Sequence, residues 1–299
     1  MVGRGTAARY RRSVQLVIDA FEPAFMQRAL VGALLAVVAT SLVGTWVVLR
    51  GLSFLGDALA HGVVPGIALA VLWGFSPVLG ALVAAALMGG LVTLVSARAG
   101  VREDTGIGLL FVGMLALGIV IVSKARSFTT EVTALLFGDV LGVSRSDIRT
   151  QFVGAAIVVV ATVVLYRPLL ALTFNRMKAQ SLGMHPTATH LALMVLLAVS
   201  IVTSFQSVGT LLVFGLLVGP PATASLLTHR IPAMMLLSVF LGALAVVAGL
   251  TISFHAGTAG GATMAGLSVA QFFVVLIGVE LARFVRDRRR ERAVSAIPS

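Results

Sequence analysis

Cysteine is absent from the 299 residues, which excludes disulfides, thiolate nucleophiles and Cys metal ligands and leaves the redox compartment undetermined. Charge is scarce as well: 11% of the side chains are Asp, Glu, Lys or Arg, against roughly 25% in an ordinary soluble domain. Aromatics are few, 16 Phe with 2 Trp and 2 Tyr. What fills the chain instead is 59% hydrophobic side chains, 31 glycines and a mean hydropathy of +1.06. The apolar residues come in unbroken runs of about 20, long enough for a helix to cross a hydrocarbon core of roughly 30 Å. A transmembrane barrel would show alternating segments of about ten residues. Abundant small residues suit helices that approach closely where lipid gives no hydrophobic drive to association. The chain therefore reads as an all-α polytopic membrane protein; a soluble enzyme, a secreted disulfide scaffold and a disordered tail are excluded.

Nine runs are expected to span the bilayer, within a range of eight to ten: 27–49, 53–74, 77–96, 106–123, 149–171, 187–205, 208–228, 232–253 and 262–284. They divide the chain into a basic interfacial segment (1–25), a transmembrane domain (26–284) and a basic cytoplasmic tail (285–299). The long interruption from Lys124 to Ile148 reads as re-entrant or interfacial helix. Net charge is +11, and every basic residue except Lys124 and Lys178 is Arg. The basic residues gather at the ends of apolar runs, with Arg283, Arg286, Arg288, Arg289, Arg290 and Arg292 at the last one, as in a tail held near anionic lipid. Without interleaved aromatics or a binding fold, this cluster gives no sign of nucleic-acid binding. With the tail in the cytoplasm, the segments 98–105, 167–186 and 229–231 are cytoplasmic too. An odd number of spans then leaves Arg4, Arg9, Arg11 and Arg12 outside, against the usual rule.

An ionisable side chain inside a span costs about 2.5–3.5 kcal/mol on insertion scales, so its presence points to function. Two acids qualify. Asp57 is followed at i+4 by His61 on the same helical face. A carboxylate and an imidazole so spaced can hold one divalent cation with mixed oxygen and nitrogen ligation, can relay protons, or can form a packed hydrogen-bonded pair. Spacing alone leaves these open. Glu280 has Arg283 at i+3 and reads as a snorkelling ion pair near the interface. The remaining histidines, His185, His190, His229 and His255, lie singly at span ends or in loops.

Between spans, ALTFNRMKAQSLGMHP (171–186) predicts a short cytoplasmic helix: Asn175 can cap it, Gly183 can end it and Pro186 bars its continuation. Arg176 and Lys178 would be exposed beside Met177 and Leu182, either docking in a partner's groove or lying on the membrane. Pro65 with Gly66, and Gly219 with Pro220 and Pro221, are expected to break or kink their spans, as helices along a translocation path do and as packing alone also allows. No phosphate-binding G-x-x-x-x-G-K-[ST] loop, H-E-x-x-H or G-x-S-x-G occurs. Energy for pumping would come from a partner or an ion gradient.

Five blocks in order resemble the permease subunit of the metal-chelate ABC importers, the zinc, manganese and iron permeases of bacteria. They are VVLRGLSFLGDALAHGVVPGIALA (47–70), REDTGIGLLFVGMLALGI (102–119), ALLFGDVLGV (134–143), LTFNRMKAQSLGM (172–184) and QSVGTLLVFGLLVGPPATASLL (206–227). The first is the most specific, although Ala60 stands where the family usually has Ser before the His, and HAGTAGGAT (255–263) lacks the family's usual Pro. The resemblance implies a type II ABC importer-like fold in the bacterial plasma membrane. It also implies a second permease subunit forming a homodimer, cytoplasmic ABC ATPase subunits that hydrolyse the ATP, and an extracytoplasmic metal-binding protein. On the same ground, Asn175, Arg176, Met177, Lys178, Leu182 and Gly183 would couple the permease to the ATPase. Asp57 and His61 would line the path of a transported Zn²⁺, Mn²⁺ or Fe²⁺, and no permanently bound cofactor is implied. A gradient-driven transporter with Asp57 and His61 as proton relay is the alternative.

Overall fold

The computed structural model describes residues 19–98, 103–123, 142–174, 180 and 183–295, and among these every regular element is an α-helix. In chain order they are α1 (Ala24–Leu49), α2 (Ser53–Gly62), α3 (Val64–Trp73), α4 (Pro77–Arg98), α5 (Glu103–Ser123), α6 (Arg145–Val164), α7 (Tyr166–Phe174), α8 (Pro186–Val208), α9 (Thr210–Leu227), α10 (Ile231–Ala256) and α11 (Gly260–Ser295). Eight helical segments, α2 and α3 counted as one, are long and apolar enough to cross a membrane; α5 contributes a shorter apolar stretch, Thr105–Ile121. The chain is a multi-pass membrane protein.

Local chemistry sets the helix ends. Ser144 caps α6 in a closed capping box: its hydroxyl accepts from the Asp147 N–H at 3.2 Å, and the Asp147 carboxylate accepts from the Ser144 N–H at 2.9 Å. That cap starts the helix at Arg145, a turn before the apolar run. The expected single span 149–171 is interrupted at Leu165, where α6 ends and α7 begins, three residues before Pro168. Gly209, at φ +77°, turns the chain directly from α8 into α9. The C-terminal residues that read as a tail continue α11 as far as Ser295.

Small residues fix how the helices meet. Gly66 of α3 and Gly80 of α4 face each other so closely that a Cβ on either would strike the other's carbonyl oxygen. Gly62 lies under Met88 and Gly66 under Ala84, so α4 runs antiparallel to α2 and α3. In contrast, Gly108 lies by Phe54 and Gly118 by Val64 and Pro65, which sets α5 parallel to them along their full length. Gly215 packs on Ala265 and Gly219 on Ser268, so α9 and α11 are also parallel. At the end of α1, Arg50 Nη1 lies 2.9 Å from His190 Nδ1 at the start of α8. A guanidinium only donates, so Nδ1 accepts. That contact makes α8 antiparallel to α1, and the turn at Gly209 then makes α9, and with it α11, parallel to α1.

One expectation is corrected. Gly219, Pro220 and Pro221 do not interrupt their span: α9 is helical from Thr210 through Leu227 with both prolines inside it. They deprive the carbonyls of Leu216 and Leu217 of their helical donors, yet the surrounding bundle holds the backbone in place. Pro221 and the Leu217 carbonyl press against Gly44 of α1, Pro220 against Gly242 of α10, and the Ser268 hydroxyl donates to the Gly215 carbonyl at 3.0 Å. The other expected break is present: α2 ends at Gly62, and α3 starts at Val64 with Pro65 in its first turn.

Candidate metal route

Asp57 and His61 sit on the last two turns of α2, immediately before the break. The opposite face of α2 is locked into the bundle, with Leu55, Leu59 and Ala58 fully buried and Gly56 pressed on Leu217 and Phe214 of α9. Their own face is half-open: 24% of the His61 side chain and 32% of that of Asp57 are exposed. Inverting the helix would place both charges against the core, so the burial pattern aims them away from it.

His61 Nε2 lies 3.6 Å from Asp57 Oδ1. That exceeds a hydrogen bond, which for N–H···O runs about 2.7–3.2 Å. The two groups lie at ion-pair distance without a hydrogen bond between them. That spacing does fit a shared cation, since two ligands about 2.1 Å from one ion at the tetrahedral angle stand roughly 3.4 Å apart. Among the described residues, no group of three or more His, Cys, Asp or Glu side chains gathers around a common point. The described residues thus bring two candidate side-chain ligands together here, few enough for a contact that must release what it accepts.

Aromatic rings frame this face. The ring of Phe111, from α5, meets that of His61 edge-on at a centroid distance of 5.7 Å and that of Phe54 at 5.8 Å. Phe111 thereby sets the plane of the imidazole. Sequence reasoning did not single it out, because an apolar residue in an apolar run carries no signal of its own; only the parallel packing of α5 on α2 brings it there. Pro65 provides no N–H for the His61 carbonyl four residues earlier, so the break falls directly below His61.

The other predicted site residues are elsewhere. Gly66 lies in the α3–α4 contact, facing away from the pair, and Gly219, Pro220 and Pro221 are interior residues of α9. Asn175, Arg176, Met177, Lys178 and Leu182 of the expected coupling helix lie outside the described residues, as does most of the expected re-entrant segment. Gly183 is described: its φ of +73° and the bond from its N–H to the Gln180 carbonyl, 3.0 Å, are those of a helix-terminating residue. Glu280 and Arg283 form the expected ion pair, 2.8 Å apart and exposed.

Comparison with known proteins agrees with this architecture. The manganese import system permease protein ScaB of Streptococcus parasanguinis is 38% identical over 273 residues, covering 91% of this chain and 95% of that protein. The chelated iron transport system membrane protein YfeD of Yersinia pestis is 30% identical over 282 residues, 94% of each chain. Among solved structures, PsaBC from Streptococcus pneumoniae in complex with Fab superimposes with a TM-score of 0.79 at 33% identity, covering 88% of this chain and 95% of that one. A metal-chelate type ABC transporter in an inward-facing conformation shares the fold at a TM-score of 0.70 and 14% identity, covering 89% of this chain and 96% of that one. The model of the ABC 3 transport family matches residues 22–279, and to that family the chain belongs.

Proposed function

We infer that the chain is the membrane permease subunit of an ATP-driven importer of divalent metal ions in the bacterial plasma membrane, and that Asp57 and His61 are its metal contacts. The observation that carries this is the geometry of the pair: two ligands 3.6 Å apart, half-exposed and facing away from the core. Relatives named for manganese and iron transport support the class of cargo. Mn²⁺ is the first ion to test, with Fe²⁺ and Zn²⁺ as comparators. A second copy of the chain facing the first would complete a passing four-ligand contact. ATP would be hydrolysed by cytoplasmic ABC subunits that receive Asn175–Gly183, and an extracytoplasmic protein would deliver the metal.

The test is uptake of Mn²⁺ into proteoliposomes holding the permease and its ATPase. Asp57→Ala and His61→Ala, made separately, are expected to lower uptake by about a hundredfold, more than the tenfold typical of losing an outer-shell partner, with the folded protein retained. Intact uptake in both variants would remove the pair from the route. Uptake that ignores ATP but collapses with a proton uncoupler would favour the gradient-driven alternative, in which the same residues relay protons.

A further inference from the structure

We propose that the cleft between the first turns of α1 and α6 binds the phosphate group of an anionic phospholipid, at a site remote from the metal route. The cleft is a cavity of about 290 Å³ lined by Ala24, Gln27, Arg28, Val31, Arg145 and Ile148. Two guanidinium groups thus share one small space with apolar side chains. Neither Arg28 nor Arg145 has an ion-paired or hydrogen-bonded acid among the described residues. The nearest acid on α6, Asp147, is committed elsewhere: its carboxylate accepts from the Ser144 N–H at 2.9 Å and from the Ser144 hydroxyl at 2.6 Å. No acid stands among the residues that line the cleft.

Depth selects the ligand. Helix α1 has 26 residues and rises about 39 Å, more than the roughly 30 Å of the hydrocarbon core, so its first turns reach headgroup level. One turn deeper the surface becomes apolar and exposed, at Val31 on α1 and at Phe152 and Val153 on α6. An acyl chain lying there would place its phosphate between the two arginines. Free phosphate would use the arginines alone and leave that surface uncovered. Both helices also begin here, so their unpaired N–H groups add to the field felt by an anion. The parallel course of α1 and α11 puts this end of α1 on the face opposite the arginine-rich end of α11; with that end read as cytoplasmic, the outer leaflet is the source.

The experiment uses the full-length chain with whatever subunits copurify, supplied with equal amounts of phosphatidylglycerol and phosphatidylcholine and weighed by native mass spectrometry. Wild type is expected to retain phosphatidylglycerol preferentially. The double variant Arg28→Gln with Arg145→Gln should lose that retention by about tenfold or more, the size expected for two cations beside a lipid phosphate. Arg28→Lys with Arg145→Lys should keep most of it, and Arg283→Gln with Arg286→Gln, at the other end of the molecule, should keep all of it. Thermal melting of each variant checks that it is folded, and Arg28→Gln alone, expected to lose part of that retention, decides the matter if the glutamine pair is not. Equal retention of the two lipids by wild type, or undiminished retention by both arginine-pair variants, overturns the proposal. So does displacement of the lipid by millimolar inorganic phosphate. A double variant that keeps its lipid but no longer captures the metal-delivery protein would make the cleft a protein-docking surface instead.

Discussion

Two regions of the molecule carry the same helix-breaking residues and respond in opposite ways. Around Gly62, Pro65 and Gly66 the span divides into α2 and α3; around Gly219, Pro220 and Pro221 the helix α9 continues without interruption. Proline removes the same N–H in both places. The difference is in the neighbours. The prolines of α9 are enclosed by α1, α10 and α11, whose glycines and serine accommodate the displaced backbone. The α2–α3 junction has a half-open face carrying Asp57 and His61. Whether a breaker becomes a break is thus set by its neighbours and not by its own chemistry.

The largest expected effect tests the close approach beside the break. Gly66→Leu would drive a side chain into the Gly80 carbonyl and Ala84, and backbone cannot yield as a flexible side chain would. Destabilisation above about 3 kcal/mol is expected, read as loss of the monodisperse peak in size-exclusion chromatography. Pro65→Ala comes next: it returns an N–H to the His61 carbonyl and favours one continuous helix. Metal uptake should fall by about tenfold, while the melting temperature stays level or rises. Unchanged uptake would reduce the break to a packing feature.

Ser268→Ala removes the donor to the Gly215 carbonyl and should cost about 1 kcal/mol, near the mean for interhelical hydrogen bonds in membranes. It is measured as a shift in the unfolding midpoint with uptake preserved. Pro221→Ala should do least. Its neighbours already hold the helix straight enough to continue, so a change within about 1 kcal/mol is expected, with uptake within twofold of wild type. A tenfold loss there would erase the distinction between the two regions.

Most of the spans were legible because burial in lipid demands long uncharged runs, and a run of that kind announces itself. The pair Asp57 and His61 was legible for the converse reason: charge where it is costly stands out. Contacts between elements were less so. Phe111 is one apolar residue among many, and Arg50 with His190 are 140 positions apart; each acquires meaning only from how helices pack. The fate of the two proline sites was hidden for the same reason, since a local rule gives the tendency and the neighbours decide the result. The capping box at Ser144 was written in the sequence as S-R-S-D, yet the polar turn it adds to α6 lies outside the apolar run that drew attention to the span.

The parallel course of α1 and α11 has an electrical consequence. Their opposite ends lie on opposite sides of the bilayer; with the tail read as cytoplasmic, Arg283, Arg286 and the arginines that follow stand at the inner end. A resting potential negative inside acts on those charges directly: carrying one elementary charge across 100 mV takes about 2.3 kcal/mol. The field therefore resists inversion of the inserted chain. It pulls an incoming dication in the same direction with twice the force per ion, so the voltage that holds the permease upright also favours the inward half of its transport cycle.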